Sequence, residues 1–478
     1  MIYSFIGFLL VFTFIGLSSA WRSRGTKEDY YLASADIPPW LVGLSAVATN
    51  NSGYMFIGVI GYTYATGLAS IWLMIGWIAG DFIASLYIHQ RLRHATSASG
   101  GVSYAGVLCN WYGEQHKPLQ RLIGCISLVF LLTYASAQLV AGGKALHVLF
   151  DWPLWSGAVA GAILVSLYCF AGGIRASIWT DAAQSIVMIF AMITLVWVAL
   201  MNLGGLSNAV EKMQAVEGFM DWFPKDLVFA GWAGGALFII SWLFAGLSVI
   251  GQPHIMVRFM ALNKLSSMRK AKLWYYCSFT LFYCAATAVG LLARIYLSDT
   301  GSFDAELALP TMAQALLPPV LVGLVLAGIF AATMSTADSL VLSCSAAITH
   351  DILPTQVEQT WLLKLVTVAI TGVALLLALS NNQSVFSMVI MAWSGLASAF
   401  APLLIFLCLG KKPAQNISIA AVLIGFGAAL TWRYFGLQGM VYEGLPGILA
   451  GLLVLYVGGL STSDSTASMS NAEFGKSS

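Results

Sequence analysis

The chain has 478 residues, of which 59% are hydrophobic and only 9% are charged, with a mean hydropathy of +0.84. Soluble proteins carry about 25% charged residues, so this composition excludes a soluble globular domain and points to a polytopic membrane protein. A net charge of +2 with no basic block leaves nothing for a nucleic acid to bind.

The chain opens on an apolar run that ends near Ala20, without the basic flank and small-residue cleavage site of a secretory signal, and is expected to be kept as a helix. From there hydropathy predicts about thirteen spans. They cover 2–20, 38–64, 68–90, 119–148, 153–171, 177–203, 227–252, 272–297, 311–347, 361–381, 384–408, 415–436 and 444–461. The organisation expected is a first span and loop (1–37), a five-helix unit (38–206), an outer loop (207–226) and a second five-helix unit (227–410). Two further spans (411–461) and a polar, low-complexity tail (462–478) follow; the tail is expected to be disordered, with no signalling module fused to it. Lys and Arg gather in alternate loops: Arg22 to Lys27, Arg91 and Arg93, Lys117 and Arg121, Arg175, Arg258 to Lys272, Lys364, and Lys411 with Lys412. The other side receives only Lys144, Lys212, Lys225, Arg294 and Arg433. This asymmetry predicts an outside N-terminus and a cytoplasmic C-terminus. The seven cysteines have no metal spacing and read as small buried hydrophobes rather than disulfide partners.

Two spans are interrupted. Leu44-Ser45-Ala46-Val47-Ala48-Thr49-Asn50-Asn51-Ser52-Gly53 sits inside an apolar segment, yet Asn, Ser and Gly are poor helix formers. A membrane protein tolerates freed backbone groups at such depth only around a cavity or buried site. The seventh span ends in Gly246-Leu-Ser-Val-Ile-Gly-Gln-Pro253-His254, where Pro253 lacks a backbone donor. The two interruptions lie five spans apart, the offset of two inverted five-helix repeats that each open with a discontinuous helix. The expected fold is therefore all-α, with two broken helices.

In the ninth span Ser335, Asp338 and Ser339 fall at i, i+3 and i+4 and share a face, with Thr336 adjacent. Hydroxyls and one acid facing the carbonyls near Ala48 and Asn51 suit a hard cation such as sodium. The competing reading, close packing of small residues between helices, is weaker because Asp338 lies in the stripe. Asp181 has two open readings, completing a cation site or holding Arg175. Asp81 reads as structural, and His254 as a partner for a freed carbonyl more than a proton relay. No paired His and Glu at metal spacing and no Gly-x-Ser-x-Gly motif speak for an enzyme.

Several strings resemble the sodium/solute symporter family, and most closely its sodium/proline branch. They are Leu44-Ser45-Ala46…Ser52-Gly53, Ala141-Gly142, Ala171-Gly172-Gly173…Trp179-Thr180-Asp181, Gly251-Gln252-Pro253-His254…Arg258-Phe259-Met260-Ala261, and Ala331-Ala332-Thr333-Met334-Ser335-Thr336. The resemblance implies a leucine-transporter-like core of inverted repeats working by alternating access. It implies that Na+ is held by the carbonyls of Ala48, Asn51 and Ala332 and the hydroxyls of Ser335 and Thr336. Asp181, Asp338 and Ser339 stand where some members hold a second cation.

In the solute pocket the resemblance implies Tyr134 as a matching tyrosine, and Tyr54 in place of a tryptophan. Asn50 replaces an aspartate, and Ala245 and Val249 replace an aromatic pair, which predicts a wider or less aromatic pocket. Solute contacts are expected from Asn50, Asn51, Ser52, Tyr54, Tyr134, Ala245, Ser248, Val249 and Gln252. The expected function is sodium-coupled import of a small polar organic solute, an amino acid or similar zwitterion such as proline, across the cell inner (plasma) membrane. The alternatives are a monocarboxylate as solute, or proton coupling through Asp181 or Asp338. The partners expected are the solute and the lipid bilayer, with no obligate protein partner.

Overall fold

In hydrocarbon every backbone N–H and C=O must be bonded within its own segment, so apolar runs of about 20 residues become helices. The computed structural model describes residues 1–297, 303–380 and 384–461. The tail expected to be disordered lies outside them. The principal helices are α1 (Ile2–Ser18), α2 (Pro39–Gly53), α3 (Ile60–Thr66), α4 (Ile71–Ser99), α5 (Lys117–Phe150), α6 (Leu154–Asn202) and α7 (Trp232–Leu247). They continue as α8 (Pro253–Met260), α9 (Met268–Tyr296), α10 (Pro319–Ala346), α11 (Thr360–Ser380), α12 (Val385–Cys408), α13 (Gln415–Tyr434) and α14 (Gly444–Ser461). Among the described residues nine stretches are long and apolar enough to cross a membrane, and two of these, Pro39–Ser99 (61 residues) and Leu154–Asn202 (49 residues), exceed twice one crossing.

Both expected interruptions are present. In α2 the helix breaks at Ser52 (φ 48°, ψ −179°), and a π-helical turn, Tyr54–Val59, leads into α3. In the seventh span α7 tightens into the 3-10 turn Ser248–Gly251, Gln252 is extended (φ −99°, ψ 100°), and Pro253 opens α8. Proline suits a first helical turn, where its missing N–H would have no partner.

Four expectations shift. The seventh span does not end at 252 but resumes to Met260, so Arg258 is in a buried helix and not in a loop. The fifth and sixth spans are one helical element bent at Gly173 (φ 56°), and Arg175 is buried just beyond the bend rather than looped out. A Cβ at Gly173 would run into the Tyr30 carbonyl, so both the backbone angle and the close approach require glycine. The ninth span begins at Pro319 rather than 311, because Pro318-Pro319 separates it from the short helix Ala308–Leu316. Of the cysteines, Cys125, Cys277 and Cys284 are exposed on the outer surface of their helices, so the buried reading fails for these three.

The packing supports an inverted repeat. α4 packs on α7 as α9 packs on α2, α12 packs on α5 as α10 packs on α6, and α5 and α10 pack on each other. Exchanging the two five-helix halves maps each of these pairs onto its counterpart. α10 is the most enclosed of the spanning stretches, with 89% of its apolar window buried, against 28% for α13, which therefore faces outward.

Candidate functional site

The break in α2 frees backbone groups, and neighbouring side chains take them up. The Gly53 N–H donates to Gln138 Oε1 (2.8 Å), and Ser52 Oγ accepts from the Tyr54 N–H (3.0 Å) and the Tyr134 hydroxyl (3.2 Å). Ser52 holds a backbone conformation that costs a non-glycine residue about 1–3 kcal/mol, so these contacts hold the break in place. A Cβ at Gly53 would meet the Thr333 methyl at 2.6 Å, which fixes how closely α10 approaches. At the second break Gln252 Nε2 donates to the carbonyls of Ser248 (3.1 Å) and Trp393 (2.9 Å). The Trp393 indole donates to the Ala245 carbonyl (2.9 Å), the Gln252 N–H to Val249 (3.0 Å), and the Tyr442 hydroxyl to Ser248 Oγ (3.0 Å).

A chain of rings joins the two breaks. Phe386 stacks on Tyr54 (5.3 Å between centroids), Tyr54 meets Trp77 (5.6 Å), Trp77 meets Trp393 (5.2 Å), and His254 lies edge-on to both Trp393 (6.4 Å) and Tyr134 (5.5 Å). α4 and α12 thus place tryptophans Trp77 and Trp393 beside the break that carries Ala245 and Val249. Buried here without hydrogen-bond partners are the Tyr54 hydroxyl, both amide atoms of Asn51, Gln138 Nε2, Gln252 Oε1, both His254 ring nitrogens and the Tyr283 hydroxyl. Such neutral donors and acceptors are what a bound polar solute satisfies. Of the expected pocket residues, Ser52, Tyr54, Tyr134, Ser248 and Gln252 belong to this network, and Ala245 and Val249 enter it through their carbonyls. Asn50 does not: its amide turns to Asp81 and Tyr275.

Next to the first break, Ser335 Oγ lies 3.2 Å from the Ala48 carbonyl oxygen and 3.1 Å from that of Ala332. Thr336 Oγ1 donates to the Thr49 carbonyl (3.1 Å), one residue along from Ala48. The Asn51 carbonyl instead accepts from the Tyr54 N–H. The structure thus gathers three of the five expected sodium ligands, with Thr336 and Asn51 adjoining them through other bonds.

A turn further along α10 is a fully buried charge cluster. Asp181 Oδ2 accepts from Ser45 (2.6 Å) and from Arg258 Nη2 (3.4 Å), and Asp338 Oδ1 accepts from Ser177 (2.8 Å) and Ser339 (3.0 Å). Arg258 donates to Ser177 Oγ (2.8 Å), to the His254 carbonyl (2.6 Å) and closely to Ser339 Oγ. By formal count two acids and one arginine leave the cluster one carboxylate more than its arginine can offset, and Asp181 Oδ1 and Asp338 Oδ2 have no partner. Of the two readings of Asp181, the tie to Arg175 falls: Arg175 pairs with Asp29 (2.6 Å) and bonds the Ala33 carbonyl (2.8 Å). Outside the spans, burial pushes the Asp29 carboxyl up, but Arg175, the Arg24 N–H and Ser34 outweigh it and hold it below its usual value.

Arg258, Ser177, Gln138 and Trp393 were not expected at the site. Only Arg258 carried a signal, since it stands one helical turn after His254 and shares its face.

The ends of the site differ. At one, Lys144 bridges Asp304 (3.0 Å) and Glu306 (2.6 Å), and Glu306 caps the start of α12 through the Phe386 N–H (2.9 Å). At the other, a recess lined by Tyr31, Ser103, Tyr104 and Asp351 reaches Pro253 and Val257 on the arm that carries Arg258.

Two broken helices packed as an inverted repeat, with a hydroxyl and carbonyl cluster at the first break, define a carrier fold of the leucine-transporter type. Residues 30–425 match the sodium:solute symporter family, and the chain belongs to that family. It is 30% identical over 454 residues to the sodium/proline symporter of Escherichia coli (strain K12), covering 92% of this chain and 88% of that protein. It is also 30% identical over 447 residues to a high-affinity proline transporter of Bacillus subtilis (strain 168), covering 91% and 93%. In structure it resembles a Na+-coupled sialic acid symporter in its substrate-bound, outward-open state (TM-score 0.79, 16% identity, 96% and 98% covered). A weaker likeness is to MhsT in complex with L-phenylalanine (TM-score 0.50, 16% identity, 88% and 97% covered). The chain is accordingly a multi-pass membrane carrier that moves an organic solute together with Na+.

Proposed function

We propose that this carrier imports a small zwitterionic amino acid, proline or a close relative, with Na+ entering between the break of α2 and the unbroken helix α10. The observation that carries this reading is the convergence of Ser335 Oγ with the carbonyls of Ala48 and Ala332, a set of neutral oxygens suited to a hard monovalent cation. Thr336 and the Asn51 carbonyl complete the set after small rotations. The solute lies between Ser52, Tyr54, Tyr134, Ser248 and Gln252, where neutral donors and acceptors pair both ends of a zwitterion and the rings cover its apolar body. The two proline-carrying relatives support this choice. The excess negative charge among Asp181, Asp338, Ser339 and Arg258 supports a second cation there.

Na+ can drive transport only by binding one conformation better than another. In this reading it favours the outward-open state, and release follows through the recess at Tyr31 and Asp351 once Lys144 and Glu306 have closed the opposite end. The protein makes thirteen crossings of the plasma membrane, with the N-terminus outside and the C-terminus in the cytoplasm. The test is uptake of labelled amino acids and monocarboxylates into proteoliposomes with and without an inward Na+ gradient. Gradient-driven accumulation of an amino acid is expected. Accumulation of a monocarboxylate alone overturns the solute assignment, and uptake indifferent to Na+ but driven by a pH gradient overturns the ion assignment.

A further inference from the structure

On the other face of α2 lies a carboxylate that neither the sodium nor the solute assignment uses. Asp81, on α4, is fully buried. Its Oδ1 accepts from the Tyr276 hydroxyl (2.8 Å), and its Oδ2 accepts from the Tyr275 hydroxyl (2.5 Å) and Asn50 Nδ2 (3.4 Å). All three donors are neutral.

The charged and titratable groups around it come from three elements, α9, α4 and α8. From α9 come Tyr275 and Tyr276, two turns on the buried Tyr283, whose hydroxyl bonds nothing, and a turn back Lys272, whose Nζ donates to the Ser85 carbonyl (3.2 Å) and not to Asp81. On α4 itself His89 lies two turns on, stacked on Phe259 of α8 (3.9 Å), with neither ring nitrogen bonded. Arg258 of α8 belongs to the Asp181 cluster, α2 contributes only Asn50, and α7 contains no ionisable side chain. Among the described residues no Lys, Arg or His forms an ion pair with Asp81.

We propose that Asp81 is a proton-binding site of this carrier, separate from the Arg258 cluster, through which the break in α2 responds to pH. A carboxylate enclosed without a cation is neutralised most directly by a proton taken from water, which adds no volume. A sodium ion fits the geometry worse, because both tyrosine hydroxyls aim their hydrogens at the carboxylate and would have to turn away. A solute ammonium would first have to displace Asn50 and Tyr275. The protonated acid becomes a donor as well as an acceptor, and Asn50 Oδ1, buried without a partner, is the neutral acceptor beside it. Proton binding therefore changes which end of the Asn50 amide is held, two residues before the break at Ser52.

Infrared difference spectra of the purified carrier in lipid nanodiscs, recorded across a pH titration, test this. The carboxylic-acid carbonyl band is expected to be lost in Asp81→Asn and kept in Asp181→Asn and Asp338→Asn. A band that survives unchanged in Asp81→Asn, or that disappears with either of the other two, overturns the assignment. If Asp81→Asn does not fold, Tyr276→Phe keeps the ring and removes one donor. It should move the midpoint of that band by about one pH unit, and an unmoved midpoint also overturns the proposal. This readout requires no transport, so its failure is distinguishable from an error in the sodium or solute assignment.

Discussion

On one side of α2, Asp181 and Asp338 face Arg258 and a set of serines; on the other, Asp81 faces only two tyrosines and an asparagine. Both clusters are fully buried, yet one is held by opposite charge and the other by neutral donors. The difference decides what each can do. A cluster with one fixed positive charge offsets one of its two carboxylates and leaves the other to be balanced by a further cation. A cluster without it changes charge by taking a proton. The same broken helix lies between them, since Ser45 bonds Asp181 and Asn50 bonds Asp81.

The sharpest way to break this comparison is to remove the arginine. Arg258→Met strands two buried carboxylates and should cost about 3–5 kcal/mol, read as lost folded yield and a lower unfolding temperature in detergent. Adding Asp181→Asn and Asp338→Asn to that variant should recover most of the loss. Failure to recover would mean that Arg258 acts through packing rather than charge. Next in size is the ion site: Ser335→Ala should raise the Na+ concentration for half-maximal uptake about tenfold, equivalent to about 1.4 kcal/mol. Thr336→Ala should raise it less, because that hydroxyl bonds the Thr49 carbonyl, and unchanged Na+ dependence in both variants rejects the ion-site assignment.

Asp81→Asn should then cost only about 1 kcal/mol of stability by the same thermal assay, because an amide still accepts from Tyr276 and no charge is stranded. A loss as large as that of Arg258→Met would show that Asp81 is ionised and paired. The exposed pair Lys412–Glu114 (2.5 Å) sets the lower end of the series, and Lys412→Ala should leave both stability and uptake unchanged.

Asp29 separates pH effects of different origin. Its carboxyl is held below the ordinary value of 3.8, so its contribution to stability is fully present above that pH and is lost only as the pH falls through the lower folded value. A pH dependence of uptake near neutrality therefore does not come from the Asp29–Arg175 pair. Asp29→Asn should leave that profile unchanged, measured as initial uptake rate against pH.

Much of the fold was legible in the chain. Composition required membrane helices, and Asn50 to Gly53 and Gly251 to Pro253 marked the two breaks, because helix-poor residues inside apolar spans have few other uses. The i, i+3, i+4 spacing of Ser335, Asp338 and Ser339 correctly placed them on one face. Less was legible where polar residues lie close to a span end. Arg258 and Arg175 counted as loop cations because hydropathy falls around any arginine, whether it meets water or a buried acid. Asn50 looked like a pocket residue because it adjoins Asn51 and Ser52, whereas successive helical residues point about 100° apart and its partner is on α4.

The sequence by itself determined that this protein spans a membrane and where its helices break, since those follow from local hydropathy and helix propensity. Only the tertiary structure decided which carboxylate meets a cation. Asp181, Asp338 and Asp81 are equivalent as intramembrane acids in the chain, and the difference arises because α8 brings Arg258 to the first two while α9 brings only tyrosines to the third. Such pairings join residues far apart in sequence, and no local pattern encodes them.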